Sequence, residues 1–282
     1  MKKIENLIDI DFARSEIVPR PRDMHKGDAG KVLVIAGSKG MAGAACLCAK
    51  AALRTGSGLV QTAVTDEILN TVQCVVPEAT CVERSVAFDS YDAIAFGPGL
   101  GVSEEGKDLL LKVLNEYEGP LVIDADGLNI IARYALTEEV RNTKAKVVIT
   151  PHVGEAKRLL GRLDTPMGEE TREEMVLSLA EKFNCTAVLK GNMSLVASGK
   201  KVMINATGNP GMATGGSGDV LTGIIASLLG QGIDVVSAAG IGTFLHGMAG
   251  DIMAAKLGEY GLISSDLLEG IALAMKMVSE GC

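Results

Sequence analysis

"NPGMATGGSGDVLTGIIASLLGQG" occupies residues 209–232. It opens as a glycine-rich turn and then becomes apolar at helical spacing. Val220, Leu221, Ile224, Ile225, Leu228 and Leu229 fall on one stripe, and Gly230 and Gly232 are suited to end the helix. A helix that starts directly out of "TGGSGD" presents unpaired main-chain N–H groups and the positive end of its dipole. That is a seat for a phosphate, or for the charge that builds during phosphoryl transfer. Gly215, Gly216 and Gly218, with Ser217 among them, let the main chain come close to the anion. Asp219 then stands beside the transferred group, where a carboxylate takes the proton of an attacking hydroxyl. The plain alternative is an Asp that only caps its helix.

The rest of the chain says what carries this turn. Upstream of it, short Val- and Ile-rich runs alternate with helical stretches. Strands are expected at 31–36, 58–64, 92–97, 120–125, 146–150, 186–191 and 201–205, and helices at 43–55, 104–117 and 171–183. This alternation predicts an α/β fold with a mainly parallel sheet covered on both faces. Residues 186–205 leave no room for a crossover helix, which predicts a short antiparallel edge. After Asp219 only helices are expected, including the small-residue run "VVSAAGIGTFLHGMAGDIMAAKLG". No repeat or low-complexity linker divides the chain, so residues 1–282 read as one domain with 1–25 as a lead-in.

The composition narrows the function classes. The chain has 282 residues, 47% hydrophobic and 22% charged, enough for a sizeable core. Aromatics are 3%, Trp is absent and the net charge is −8, which argues against nucleic-acid and membrane-surface partners. Cys46, Cys48, Cys74, Cys81, Cys185 and Cys282 lack the paired spacing of a zinc site. With no secretory signal or membrane span in view, the expectation is a reduced, cytoplasmic chain with scattered thiols.

In parallel sheets ligands bind beyond the carboxyl ends of the strands. "AGSKGMAGAA", "GPGLG", "DADGLN", "TPHVGE" and "KGNMS" all fall at such ends. Lys190 is placed to reach nucleotide phosphates, or is simply a solvated lysine. His152 is placed to hold a polar substrate group, or is a satisfied loop residue. Asp124, Asp126 and Asn129 suit Mg2+ and its waters, or turn hydrogen bonds. Glu155 either joins the Mg2+ set or caps the following helix. Ala44 and Ala45 leave space at a helix start, for a bulky ligand or for close packing. "GSKGMAG" lacks the full Gly-x-Gly-x-x-Gly order of a dinucleotide fingerprint.

Together, "HKGDAGKVLVIAGSKGMAGAA", "GPGLG", "VIDADGLN", "TPHVGEAKRLLG", "VLKGN" and the quoted stretch resemble the ADP/ATP-dependent NAD(P)H-hydrate dehydratases, in that family's order and over roughly residues 25–250. The resemblance implies a ribokinase-like, three-layer α/β/α fold. It implies repair of hydrated NADH or NADPH, the S epimer, by phosphorylation of the ring hydroxyl and elimination of phosphate. ADP or ATP would be co-substrate, Mg2+ cofactor, and a homo-oligomer, possibly a tetramer, the assembly. By its motifs Asp219 matches the catalytic Asp and Gly218 the anion-hole glycine. Lys190, Gly191, Asn192, Met193 and Ser194 match the nucleotide segment; Ala44 or Ala45, Gly99 and His152, with Asp219, match the hydrate-binding positions. Val153 stands where the family usually has a second proline, which leaves that loop less rigid. The rival readings are a kinase of the same fold acting on a vitamin-precursor alcohol, of the hydroxyethylthiazole or hydroxymethylpyrimidine type, and a non-catalytic nucleotide sensor.

Overall fold

The branched, apolar runs become strands, buried on both faces. The computed structural model describes residues 6–163 and 171–281; Cys282 and the first five residues of the lead-in lie outside them. In chain order it runs β1 (Leu7–Ile8), α1 (Ile10–Glu16), β2 (Lys31–Ile35), α2 (Ala42–Thr55), β3 (Leu59–Ala63), α3 (Asp66–Val75) and β4 (Thr80–Val82). There follow β5 (Ala93–Phe96), α4 (Glu104–Glu116), β6 (Pro120–Ile123), α5 (Asp126–Tyr134), α6 (Thr137–Asn142), β7 (Lys146–Ile149) and α7 (Val153–Leu160). The last part comprises α8 (Arg172–Phe183), β8 (Thr186–Leu189), β9 (Leu195–Ser198), β10 (Lys201–Asn205), α9 (Ser217–Gly230), α10 (Val235–Leu257) and α11 (Leu267–Glu280).

One sheet orders the strands β1-β10-β9-β8-β7-β6-β5-β2-β3-β4. From β4 to β8 every pair is parallel, and the hairpin β8-β9-β10 supplies the expected antiparallel edge. Strand alternation sends Val32 and Val34 of β2 into one core, with α2, α9, α10 and α11, and Leu33 and Ile35 into the other, with α4 to α8. The lead-in is more than a lead: Leu7 and Ile8 pair parallel with β10 and extend the sheet.

Helix α9 is the central support. A Cβ on Gly223 would fall 2.1 Å from the carbonyl oxygen of Cys48, so only glycine lets α9 lie so close to α2. The small residues of α10 serve the same end within the chain: a Cβ on Gly242 would meet Ile225, and one on Gly247 would meet Thr207. Cys46, Cys48 and Cys185 are buried and Cys74 is exposed, all with free thiols. Among the described residues no helix is long and apolar enough to cross a membrane.

The chain leaves β2 toward β3 and β4, then returns to β5 on the other side of β2. This reversal opens a crevice at the carboxyl ends of β2 and β5, the usual ligand position in such sheets. The Gly37 amide donates to the Pro98 carbonyl at 2.8 Å and ties the two exit loops together.

Candidate active site

Helix α9 starts at the same end of the sheet. Its N-cap is Gly216, left-handed at φ +91°, and no side chain caps it. A side chain at Gly216 would be strained, and its Cβ would fall 2.5 Å from Leu47. The Ser264 hydroxyl donates to the Gly215 carbonyl at 2.7 Å and holds the turn open. The Ser217 amide donates to the Thr214 carbonyl at 3.4 Å, and the amides of Gly218 and Asp219 are left for a ligand.

Asp219 is half-buried in that first turn. Burial first, and the Asp124 carboxylate next, push its pKa up to about 7; Lys190 pulls the other way and Asp126 adds a smaller push. A carboxyl poised near neutrality suits a general base.

Beside Asp219 lies a buried ion pair. Asp124, 1% exposed, ends β6. The Lys190 ammonium donates to Asp124 Oδ1 at 2.6 Å and lies 3.7 Å from Glu155 Oε2. The Thr222 hydroxyl donates to Asp124 Oδ2 at 2.8 Å. Burial pushes the Lys190 ammonium down, but Asp124, Glu155 and Asp219 outweigh it, and the net shift is upward. A Cβ on Gly218 would sit 3.2 Å from Lys190 Nζ, so the pair adjoins the anion seat. Between the two acids of "DADG", Ala125 has φ +50° and ψ −116°, a strained conformation. It sends Asp124 to Lys190 and lets Asp126 Oδ2 accept from the Gly101 amide at 2.8 Å.

His152 is the N-cap of α7. Its Nδ1 accepts from the amides of Gly154 (3.0 Å) and Glu155 (3.3 Å), so the ring proton is on Nε2. Glu155 Oε2 accepts from the His152 amide at 2.8 Å and completes a capping box. His152 also lines a cavity of about 750 Å3 together with Lys190, residues 191–194, Ser217 and Gly218.

Ala44 and Ala45, both candidates from the sequence, differ in exposure. Ala45 is 0% exposed, and the Cβ that Gly37 lacks would lie 3.0 Å from its methyl. Ala44 is half-buried, and a Cβ on Gly99 would fall 2.8 Å from its methyl. Asp124, Asn129 and Glu155, the candidate residues for Mg2+ and its waters, already make contacts within the protein. Both Asp124 oxygens and Glu155 Oε2 accept as described, and Asn129 Nδ2 donates to Asp126 Oδ1 at 3.4 Å. Among the described residues no group of three or more His, Cys, Asp or Glu is arranged to hold a metal.

Sequence reasoning missed Thr222, His246, Asn205, Thr207 and Arg172. His246 on α10 lines the cavity, and its Nε2 lies 2.9 Å from the Ser217 carbonyl and 3.2 Å from Ser217 Oγ. The carbonyl can only accept, so Nε2 carries the proton. Burial drives the His246 pKa down to about 4, against the Ser217 bond, and keeps the ring neutral. A His inside the otherwise apolar "TFLHGMAGD" was the available signal.

The NAD(P)H-hydrate dehydratase family model matches residues 32–272. The chain belongs to that family. Its relatives include a bifunctional NAD(P)H-hydrate repair enzyme, Nnr, of Thermofilum pendens, 38% identical over 93% of this chain and 53% of the relative. The chain therefore spans about half the length of that relative. It is also 38% identical to the ADP-dependent (S)-NAD(P)H-hydrate dehydratase of Neisseria meningitidis, over 89% of this chain and 85% of that one. Among solved structures it is similar to the ADP/ATP-dependent NAD(P)H-hydrate dehydratase of Bacillus subtilis co-crystallised with ATP/Mg2+. There the TM-score is 0.86 at 27% identity, covering 98% of this chain and 100% of the other. The ribokinase-like expectation for the fold holds, down to the antiparallel edge. A hydroxyethylthiazole kinase of Pyrococcus horikoshii shares the fold at 17% identity and TM-score 0.64.

Proposed function

We propose that this chain uses ADP or ATP to dehydrate the S epimer of hydrated NADH or NADPH back to the reduced cofactor. The observation that carries the reading is the uncapped start of α9, with Asp219 in its first turn at a pKa of about 7 beside the Lys190–Asp124 pair.

Hydroxide is a poor leaving group, so the ring oxygen is first made into a phosphate ester. The nucleotide lies in the cavity of residues 190–194, with its terminal phosphoryl at the α9 amides and Lys190. Asp219 accepts the proton of the ring hydroxyl as its oxygen attacks phosphorus, and the bond to the departing nucleotide breaks. The α9 amides hold the charge on the transferring group. The C–O bond then breaks, phosphate leaves, the adjacent ring carbon gives up a proton, and the ring double bond returns. From ADP the products are AMP and phosphate; from ATP, ADP and phosphate. Ala44, Gly99 and His152 contact the hydrated ring. Mg2+ would enter as the counter-ion of the nucleotide phosphates. A homo-oligomer and a cytoplasmic site of action belong to the same proposal.

Incubation with hydrated NADH and each nucleotide in turn tests it. Recovery of the near-ultraviolet absorbance of the reduced ring, one phosphate per ring, is the expected result. A stable phosphorylated alcohol would support the kinase instead, and nucleotide binding without turnover a sensor.

A further inference from the structure

Arg172 has no part in the chemistry above, yet its guanidinium donates to three carbonyls of one short segment. Nη1 donates to the carbonyls of Asn192 and of Met193 (3.1 Å for the latter), and Nη2 to that of Leu189 at 3.2 Å. Other groups of the segment are paired locally. The Lys190 amide donates to the Pro151 carbonyl at 2.9 Å. The Gly191 amide donates to Ser194 Oγ (3.3 Å), and the Ser194 hydroxyl donates to the Gly191 carbonyl (3.0 Å). The amides of Asn192, Met193 and Ser194 make no hydrogen bond to a described residue, and those of Met193 and Ser194 belong to the peptide units whose carbonyls Arg172 holds. The turn also holds an uncommon shape: Gly191 has φ +147°, and Met193, which is not glycine, has φ +52°. A Cβ on Gly191 would fall 3.0 Å from Arg172 Nη2.

Residues 190–194 line the 750 Å3 cavity. When carbonyls of a tight turn are drawn to one side, successive amides point to the other and form a concave donor site. We propose that Arg172 is the positioning residue of the nucleotide subsite. By gathering the carbonyls of Asn192 and Met193, with that of Leu189 as a third anchor, it turns the Met193 and Ser194 amides, each anti to a gathered carbonyl, toward an oxygen of the bound nucleotide. This rests on reading the cavity as a nucleotide site. The planar fork of Arg reaches several acceptors at once; the point charge of Lys does not.

The same helix carries a built-in control. Arg141 Nη1 donates to the carbonyls of Glu181 (3.0 Å) and Lys182 (3.2 Å) at the other end of α8, away from the cavity. Its loss costs stability only.

The test is ADP binding by calorimetry, with nucleotide KM and kcat, for wild type, Arg172→Ala, Arg172→Lys and Arg141→Ala. Expected for Arg172→Ala is an ADP affinity and a nucleotide KM each worse by about tenfold, with kcat at saturation within about threefold. Methylguanidinium restores part of the affinity. Arg172→Lys recovers less than half of the loss, and carries the test alone if Arg172→Ala does not fold. Arg141→Ala lowers Tm and leaves ADP affinity unchanged. A folded Arg172 variant that binds ADP like wild type overturns the inference alone. A wild type that binds neither ADP nor ATP overturns the nucleotide reading and this inference with it.

Discussion

Two helices begin at this site, and they begin differently. Helix α7 is closed: His152 Nδ1 accepts two of its first amides, and Glu155 folds back on the His152 amide. Helix α9 is open: its N-cap is a left-handed glycine with no side chain to accept anything. A capped start gains stability from the protein itself. An uncapped one leaves donors and a dipole without partners, and gains only when an anion arrives. Under the proposed function, the contrast favours α9 as the seat of the phosphoryl group and gives α7 a positioning role. Lys190 touches both sides, through Asp124 and through Glu155.

The largest expected effect comes from removing that bridge. Lys190→Met leaves Asp124 buried without its partner, which costs about 3–5 kcal/mol in denaturant melts. Activity is lost with it. A variant as stable as wild type would break the link between the two helix starts.

Next comes Asp219→Asn. It removes the base and lowers kcat by about 10²-fold, with ADP binding retained by calorimetry. It also changes stability in a definite direction. The folded pKa of about 7 lies above the ordinary 3.8, so the native state keeps a proton that the unfolded chain has already released. The stability tied to that proton is full below about pH 4 and is lost as pH rises through about 7. Asn does not ionise, so the Tm of Asp219→Asn relative to wild type rises from about pH 4 to about pH 8. No change in that difference would show that Asp219 is solvated like any surface acid.

Gly216→Ala puts a side chain in the left-handed N-cap and presses on Leu47. It costs about 1–2 kcal/mol and weakens phosphate capture, read as a higher nucleotide KM. The smallest effect is expected at α7. His152→Ala removes the cap for about 1 kcal/mol, and raises KM for the hydrated cofactor more than for the nucleotide. The reverse pattern, with His152 governing nucleotide affinity, would exchange the roles of the two helices.

The parallel strands could be read from sequence because burial on both faces makes them continuous Val and Ile runs, as in "KVLVIA" and "PLVIDA". Strands β1 and β4 escaped because two and three residues are too short to show a period. The helix start at Asp219 was visible because glycines and an acid precede a long apolar stripe. The choice between Ala44 and Ala45 was not, because neighbouring small residues differ only in which face of α2 they occupy, and packing decides that. Lys190 was seen, but not that it pairs with Asp124, 66 residues away. Thr222, Arg172 and His246 act through contacts across the sheet and between helices, which no local pattern records.

The pH dependence of kcat/KM for nucleotide-driven dehydration tests the central claim most directly. The account predicts a rate that falls below an apparent pKa of about 7, as Asp219 takes up its proton. In Asp219→Asn, measured at high enzyme concentration, that acid limb disappears. A wild-type rate flat through neutrality, or a limb that survives in Asp219→Asn, would contradict it.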